Sequence, residues 1–395
     1  MLASNSSLNS SLEMSSRYIP VGLEFFFKHI YLLLLVIVGC IGNALVIIIF
    51  GQRAFRTTVR FTGSNLSVYP FLFYMAISDT MYLLILFCLW LSNYINVLHR
   101  PGICQLTLYL TYVCNFINAY YTVAFTAQRL FAVINPIRVS QVLSWYRSRC
   151  LALSIIAIGL LIYSYLLITT GTDDGRCFSR RAYRKMSRVM DIIDCIIVFL
   201  IPYLAIITMN TIILISLHRM KQNPHAFLFQ SHAQLISRRE VTRRHASRKM
   251  TKLLLTVSTA YLIICAPYAS IHTWRLFRNI LHSNPNQLPT INKSEQYALL
   301  IYHISFAMNF YIYIVFGSKF RRELKRLFVK SKQNFSHYFH GREFYEHETQ
   351  LELTEKNSTM TMEYTLNTNL HPDSQQNSHK RLNHYCCYCC CQSFL

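Results

Sequence analysis

The sequence predicts an all-α membrane protein: a seven-transmembrane helix bundle, a short amphipathic surface helix and a disordered C-terminal tail. Three observations predict it. Seven apolar stretches each reach roughly the 20 residues that a helix needs to cross a hydrocarbon core about 30 Å thick. Of the 395 residues, 53% are hydrophobic and only 14% charged, whereas a soluble domain carries about 25% charged residues. The charges are nearly absent from the apolar stretches and crowd the segments between them.

Residues 1–28 are the first element, a polar, Ser/Asn-rich stretch without the basic start and apolar core of a cleaved signal peptide. They read as an extracellular tail, with glycosylation sequons at Asn5 and Asn9. The bundle, residues 29–317, follows. Its apolar stretches run from about His29 to Phe50, Tyr69 to Leu91, Cys104 to Val133, Cys150 to Ile168, Val189 to Leu217, Lys249 to Trp274 and Gln296 to Phe316. In lipid every backbone polar group must be satisfied within the segment, which makes these stretches helices. The alternating pattern of a membrane barrel is absent. Residues 318–330 place Phe320, Leu324, Leu327 and Phe328 on one side and basic residues on the other, as in a helix lying on the inner membrane surface. Residues 331–395 are polar and read as a disordered cytoplasmic tail.

Orientation follows from the connecting segments. Arg53, Arg56 and Arg60 follow the first stretch, Arg138, Arg147 and Arg149 the third, a long basic loop the fifth, and Lys319, Arg321, Arg322, Lys325 and Arg326 the seventh. All four lie on one side, the cytoplasmic side by the positive-inside rule, with the N-terminus outside at the plasma membrane. One segment opposes this: Arg176, Arg180, Arg181, Arg184, Lys185 and Arg188 fall on the outer side. The net charge of +22 belongs to loops that meet anionic lipid, not to nucleic-acid binding.

Polar residues deep in membrane helices are costly and therefore candidates for function. Asn43, Asp79, Asn118 and Asn309 sit in the first, second, third and seventh helices, with Ser305 one turn before Asn309. Interhelical hydrogen bonding is the plain alternative for the asparagines. A carboxylate at the depth of Asp79 needs partners, a proton or a cation, and oxygens of this kind suit a small hard cation. Cys104, at the outer start of the third helix, and Cys177, in the next outer loop, face an oxidising compartment. A bridge would pin the loop over the bundle; two free thiols are the alternative.

Taken in order, these residues resemble the rhodopsin-like family of G-protein-coupled receptors, over about His29 to Phe328. The matches are Gly42-Asn43, the Met75 to Asp79 run, Cys104 ahead of Arg129, Pro136, Pro202, Pro267, Asn309-Phe310-Tyr311-Ile312-Tyr313 and the Gly317 to Arg321 run. The resemblance implies a receptor rather than an enzyme, with an extracellular ligand and a heterotrimeric G protein as partners. It implies a switch at Arg129, Pro267, Asn309 and Tyr313. It also implies an allosteric sodium ion held by Asp79, Asn118, Ser305 and Asn309, with no other cofactor. The chain departs from the family at Gln128, where a carboxylate precedes the arginine, at Leu130, at Cys265, where a tryptophan stands, and at Phe310. Gln128 hydrogen-bonds without charge, which predicts a weaker resting lock. These departures also leave open an atypical seven-helix protein that is constitutively active or uncoupled. A transporter or membrane enzyme would need internal repeats or a nucleophile cluster, and the sequence has neither.

The ligand is narrowed by two positions. The family's retinal lysine corresponds to His303 and its amine-binding carboxylate to Thr111, which disfavours both ligand classes. Short segments, Thr126 to Leu130 and Asn309-Phe310, resemble invertebrate neuropeptide receptors of the FMRFamide and thyrotropin-releasing-hormone type. Asp191 and Asp194 share a helical face and can pair with a peptide arginine, or instead with Arg184 or Arg188. Tyr112 and Asn115, with His272 and Arg275, complete the candidate pocket. The basic outer loop predicts the opposite ligand charge, or else is simply solvated. In the tail, the Cys386–Cys391 cluster is a candidate for palmitoylation, and Ser358, Thr359, Thr361 and Thr365 are candidate phosphosites for arrestin.

Overall fold

The structure, a computed structural model, describes residues 26–56, 68–92, 94–95, 100, 102–135, 144–173, 176–222, 238–281 and 293–330. The sequons, the tail cysteines, the tail phosphosites and Pro136 lie outside the described residues. The chain divides into two units, residues 1–327 and 328–395; of the second, only 328–330 are described, and they are helical.

Helix α1 (Leu32–Arg56) follows a π-helical turn, Phe26–Tyr31. Helices α2 (Tyr69–Leu91), α3 (Ile103–Ile134) and α4 (Trp145–Tyr163) come next. A helical turn, Leu166–Thr169, leads into an antiparallel hairpin, β1 (Thr170–Asp173) and β2 (Arg176–Ser179), with Thr172 opposite Cys177. Helix α5 has three consecutive pieces, Arg184–Asp194, a π-helical turn Cys195–Leu200, and Ile201–Gln222. Helix α6 is Arg238–Leu281, with Pro267 inside it. Helix α7 comprises Lys293–His303, a 3-10 turn Ile304–Phe306, and Asn309–Phe316. Helix α8 covers 318–330.

Several boundaries move outward from the apolar stretches because a helix need not stop where hydrocarbon does. Ser144, extended at φ −90°, accepts a hydrogen bond from the Arg147 backbone N–H and starts α4 five residues before Cys150. The basic segment expected as an outer loop is instead strand β2 and the first turns of α5. Gly102 takes φ 94°, a conformation that only glycine adopts without strain, and it turns the chain into α3.

The described helices are built inside out. Leu161 is 74% exposed and Ile263 68%, while Asn43 and Asp79 are fully buried. Water would not tolerate that exchange; a lipid solvent requires it. Among the described residues five helices are long and apolar enough to span a membrane, or six when the two limbs of α7, bent by 53°, count as one. The helix missing from that set, α3, has 32 residues, and it falls short in composition, not length. It packs against α2, α4, α5 and α6; its buried Asn118 and Gln128 bond to α2 and α4, while the buried Thr122 and Thr126 bond to carbonyls of α3 itself.

Helix α1 packs on α2 and α7. A Cβ on Gly39 would lie 2.6 Å from Leu83 Cδ1 and 2.9 Å from Ala307 Cβ, so the approach requires glycine. In α8, Phe320 is buried and Leu324 and Leu327 pack against the core, as expected, whereas Phe328 is exposed.

Candidate functional site

Three polar groupings lie along the bundle axis. The middle one centres on Asp79 of α2. Its Oδ1 accepts from Asn118 Nδ2 of α3 at 3.1 Å, and its Oδ2 from Asn309 Nδ2 of α7 at 2.8 Å. Both asparagine Oδ1 atoms are buried without a hydrogen-bond partner among the described residues. Ser305 Oγ has no oxygen or nitrogen partner among the described residues and has the Cys265 thiol beside it. The donor set is thus all oxygen with one carboxylate, the chemistry a hard monovalent cation accepts. Asn43 of α1 donates to the Phe306 carbonyl at 2.9 Å. That bond engages a carbonyl beside the α7 bend, which has no proline at 310 to mark it.

The inner grouping surrounds Arg129, which is 1% exposed. Gln128 Nε2 donates to Ser148 Oγ of α4 at 2.9 Å, so this residue fastens α3 to α4. Leu130 is half-buried. Ser258 of α6 donates to Asn210 Oδ1 of α5 at 3.0 Å, and Tyr203 of α5 to the Leu262 carbonyl of α6 at 3.0 Å. Cys265, two residues before Pro267, is fully buried, and Tyr313 is buried against Phe50 and Phe320. A pocket opens at this end between Phe50, Tyr69, Lys249, Leu253, Lys319 and Phe320.

The third grouping lies at the opposite end, under the Cys104–Cys177 disulfide, whose Cα atoms are 5.6 Å apart. The bridge holds the hairpin on α3, helped by Gln105 Nε2 donating to the Thr170 carbonyl at 3.2 Å. Beneath it, Glu295 of α7 is 2% exposed. Its Oε1 lies 2.9 Å from His272 Nδ1, and its Oε2 3.1 Å from Arg275 Nε, an ionic contact misaligned for a hydrogen bond. Asp194 of α5 accepts from Tyr163 Oη of α4 at 2.5 Å. Asp191 has no hydrogen-bond or ion-pair partner among the described residues and faces His272 and Arg275 electrostatically. Neither aspartate pairs with Arg184 or Arg188. Tyr268 stacks on His272 and meets Tyr302, whose Oη donates to Asn115 Oδ1 at 3.3 Å. Tyr112 lies near both aspartates and packs on Tyr163.

Two sequence candidates stand apart from this cluster. The Thr111 hydroxyl donates to its own helix, at the Thr107 carbonyl, and His303 is buried, with Nδ1 3.0 Å from Tyr82 Oη. Glu295 was missed because it precedes the apolar part of α7 and reads as a loop residue. Among the described residues no group of three or more His, Cys, Asp or Glu side chains could hold a metal ion.

Residues 42–313 match the family described as "7 transmembrane receptor (rhodopsin family)". The chain belongs to this family. It is therefore a multi-pass membrane receptor, not an enzyme, with an extracellular ligand and a G protein as the family's partners. A search of curated proteins found no match to this receptor.

Proposed function

We propose that this receptor is activated by an extracellular peptide of the neuropeptide class that carries a cationic group, and that it signals through a heterotrimeric G protein. The observation that carries the reading is Asp191. It is half-buried at the disulfide end, it makes no hydrogen bond or ion pair among the described residues, Asp194 stands near it, and His272 and Arg275 of α6 are the cations it faces. A guanidinium or ammonium group would complete this set; an anion would be repelled. The disulfide end faces outward, because disulfides persist in oxidising compartments. In this reading residues 1–28 are extracellular and the tail from 331 is cytoplasmic, in a plasma-membrane receptor.

Asp191→Asn keeps the size and removes the charge. It should lower the potency of an activating peptide at least tenfold at equal surface expression, a loss of about 1.4 kcal/mol or more. The assay reads calcium and cyclic AMP in transfected cells against a library of amidated neuropeptides, with Arg129→Ala as a silent control. Unchanged potency in Asp191→Asn would remove the cationic-ligand reading, and no peptide response at all would remove the peptide reading.

In this reading the ligand shifts a pre-existing equilibrium toward a state with an open inner face. Helix α6 moves outward about Pro267, breaking the Ser258–Asn210 and Tyr203–Leu262 bonds, and Arg129 meets the G protein. Asp79, Asn118, Ser305 and Asn309 would hold a sodium ion, which supplies a positive charge to the buried carboxylate. Arrestin would read the phosphorylated tail.

Gln128 is bonded to Ser148 and brings no charge to Arg129. A charged hydrogen bond exceeds a neutral one by about 1 kcal/mol. Gln128→Glu should therefore cut ligand-independent signalling about fivefold, measured as second-messenger output at matched surface expression. Equal output would mean that the carboxylate has no hold on the arginine here.

A further inference from the structure

The outer cluster is acidic, yet the surface beside it is basic. Residues 170–188 hold six cations, Arg176, Arg180, Arg181, Arg184, Lys185 and Arg188, against two carboxylates, Asp173 and Asp174. Arg180, Arg181 and Lys185 are exposed, and Arg184 and Arg188 half-buried. Their backbone positions are defined. The Cys104–Cys177 bridge fixes β2, and the Arg180 N–H donates to the Thr169 carbonyl at 2.8 Å.

From the sequence, the acidic and basic groups predict opposite ligand charges. The structure separates them in height. Arg184, Arg188 and Asp191 follow one another at i, i+4 and i+7, along one stripe of α5. Arg188 and Asp191 are three apart and do not pair. At 1.5 Å per residue, Arg184 stands about 10 Å above Asp191, and Lys185 about 9 Å above it. One stripe thus runs from a cationic rim to an anionic floor.

We infer that the activating peptide is itself dipolar. One of its carboxylates is held at the rim by Arg184, Lys185 and Arg188, and a cationic side chain about three residues away is held at the floor by Asp191. An extended chain covers about 3.3–3.6 Å per residue, so about three residues span the rise of roughly 10 Å from Arg184 to Asp191. This rests on the reading of a peptide ligand with a cation at Asp191, and it adds a second binding site of the opposite sign. The rim also draws the acidic end in first, because exposed charge acts chiefly on encounter.

The test uses the full-length receptor in cells and pairs of synthetic amidated peptides. Each pair carries one arginine and differs only by Asp against Asn at two to eight residues from it. On the wild-type receptor the Asp peptide should be at least tenfold more potent than its Asn twin, with the largest advantage at about three residues. In Arg184→Glu/Lys185→Glu that advantage should vanish or invert, while the Asn twin changes less than about twofold. Equal potency of the twins on the wild type would overturn the inference, as would a charge reversal that weakens both twins alike. If in that case Asp191→Asn still weakens every arginine peptide, the rim alone has failed and the anionic floor stands. If Asp191→Asn changes nothing, or no peptide activates, the underlying reading fails and the dipolar ligand falls with it.

Discussion

Glu295→Ala is expected to be the most damaging single replacement at the disulfide end. Glu295 lies between His272 and Arg275, and its side chain is only 3% exposed, that of Arg275 13%. Removing the carboxylate leaves a largely buried guanidinium facing no opposite charge of its own pair. Breaking a buried ion pair from one side costs about 3–5 kcal/mol. Asp191 is close enough to take up part of the lost attraction, which puts the expected cost near the lower figure. Thermal unfolding of the solubilised receptor would measure it, and surface expression should fall in parallel. The double replacement Arg275→Met/Glu295→Leu removes both charges and should recover most of the loss, since an apolar pair often matches a buried ionic one. If Glu295→Ala melted like the wild type, the α6–α7 contact would contribute nothing to stability.

The second large effect is expected at Asp79. Its two oxygens each accept from an asparagine amide. In Asp79→Asn one oxygen becomes an NH2 group, which meets the other donor head-on. One charge-assisted hydrogen bond is lost, about 1.5–3 kcal/mol, together with the negative charge a cation would need. The expected result is a change in salt response. In sodium chloride the wild-type receptor should melt higher than in N-methylglucamine chloride of equal ionic strength. Asp79→Asn should melt at the same temperature in both. An equal difference in the variant would place the sodium effect elsewhere.

Much of this architecture is legible in the sequence, because lipid imposes a length and composition rule on each helix. The α2 boundaries, Tyr69 and Leu91, are those of its apolar stretch. The Asp79 group is legible because a carboxylate in hydrocarbon has few explanations, and the two candidate cysteines do form the bridge. What escapes the sequence depends on partners far along the chain. The bend in α7 is associated with Asn43, 263 residues from its acceptor, with no proline to mark it. Glu295 has meaning only beside His272 and Arg275 on another helix. The conflict between the basic segment and the two aspartates dissolves once α5 is seen to begin at Arg184, which puts the two signs at different heights on one helix.

The missing side chain at Gly39 has a mechanical consequence. Around it, α1 meets Leu83 and Ala307 carbon against carbon. The Gly39 contact itself offers no hydrogen bond for water to replace and no proton to gain or lose, unlike the Asn43–Phe306 bond one turn further on. Its attraction fades steeply: a gap of about 0.5–1 Å forfeits a quarter to a half of it. A contact of that kind is either shut or gone, with no useful halfway state. At Gly39, then, α1 is held to α2 and α7 by packing alone, and the bonds it could trade lie elsewhere along it, at Val38 and Asn43.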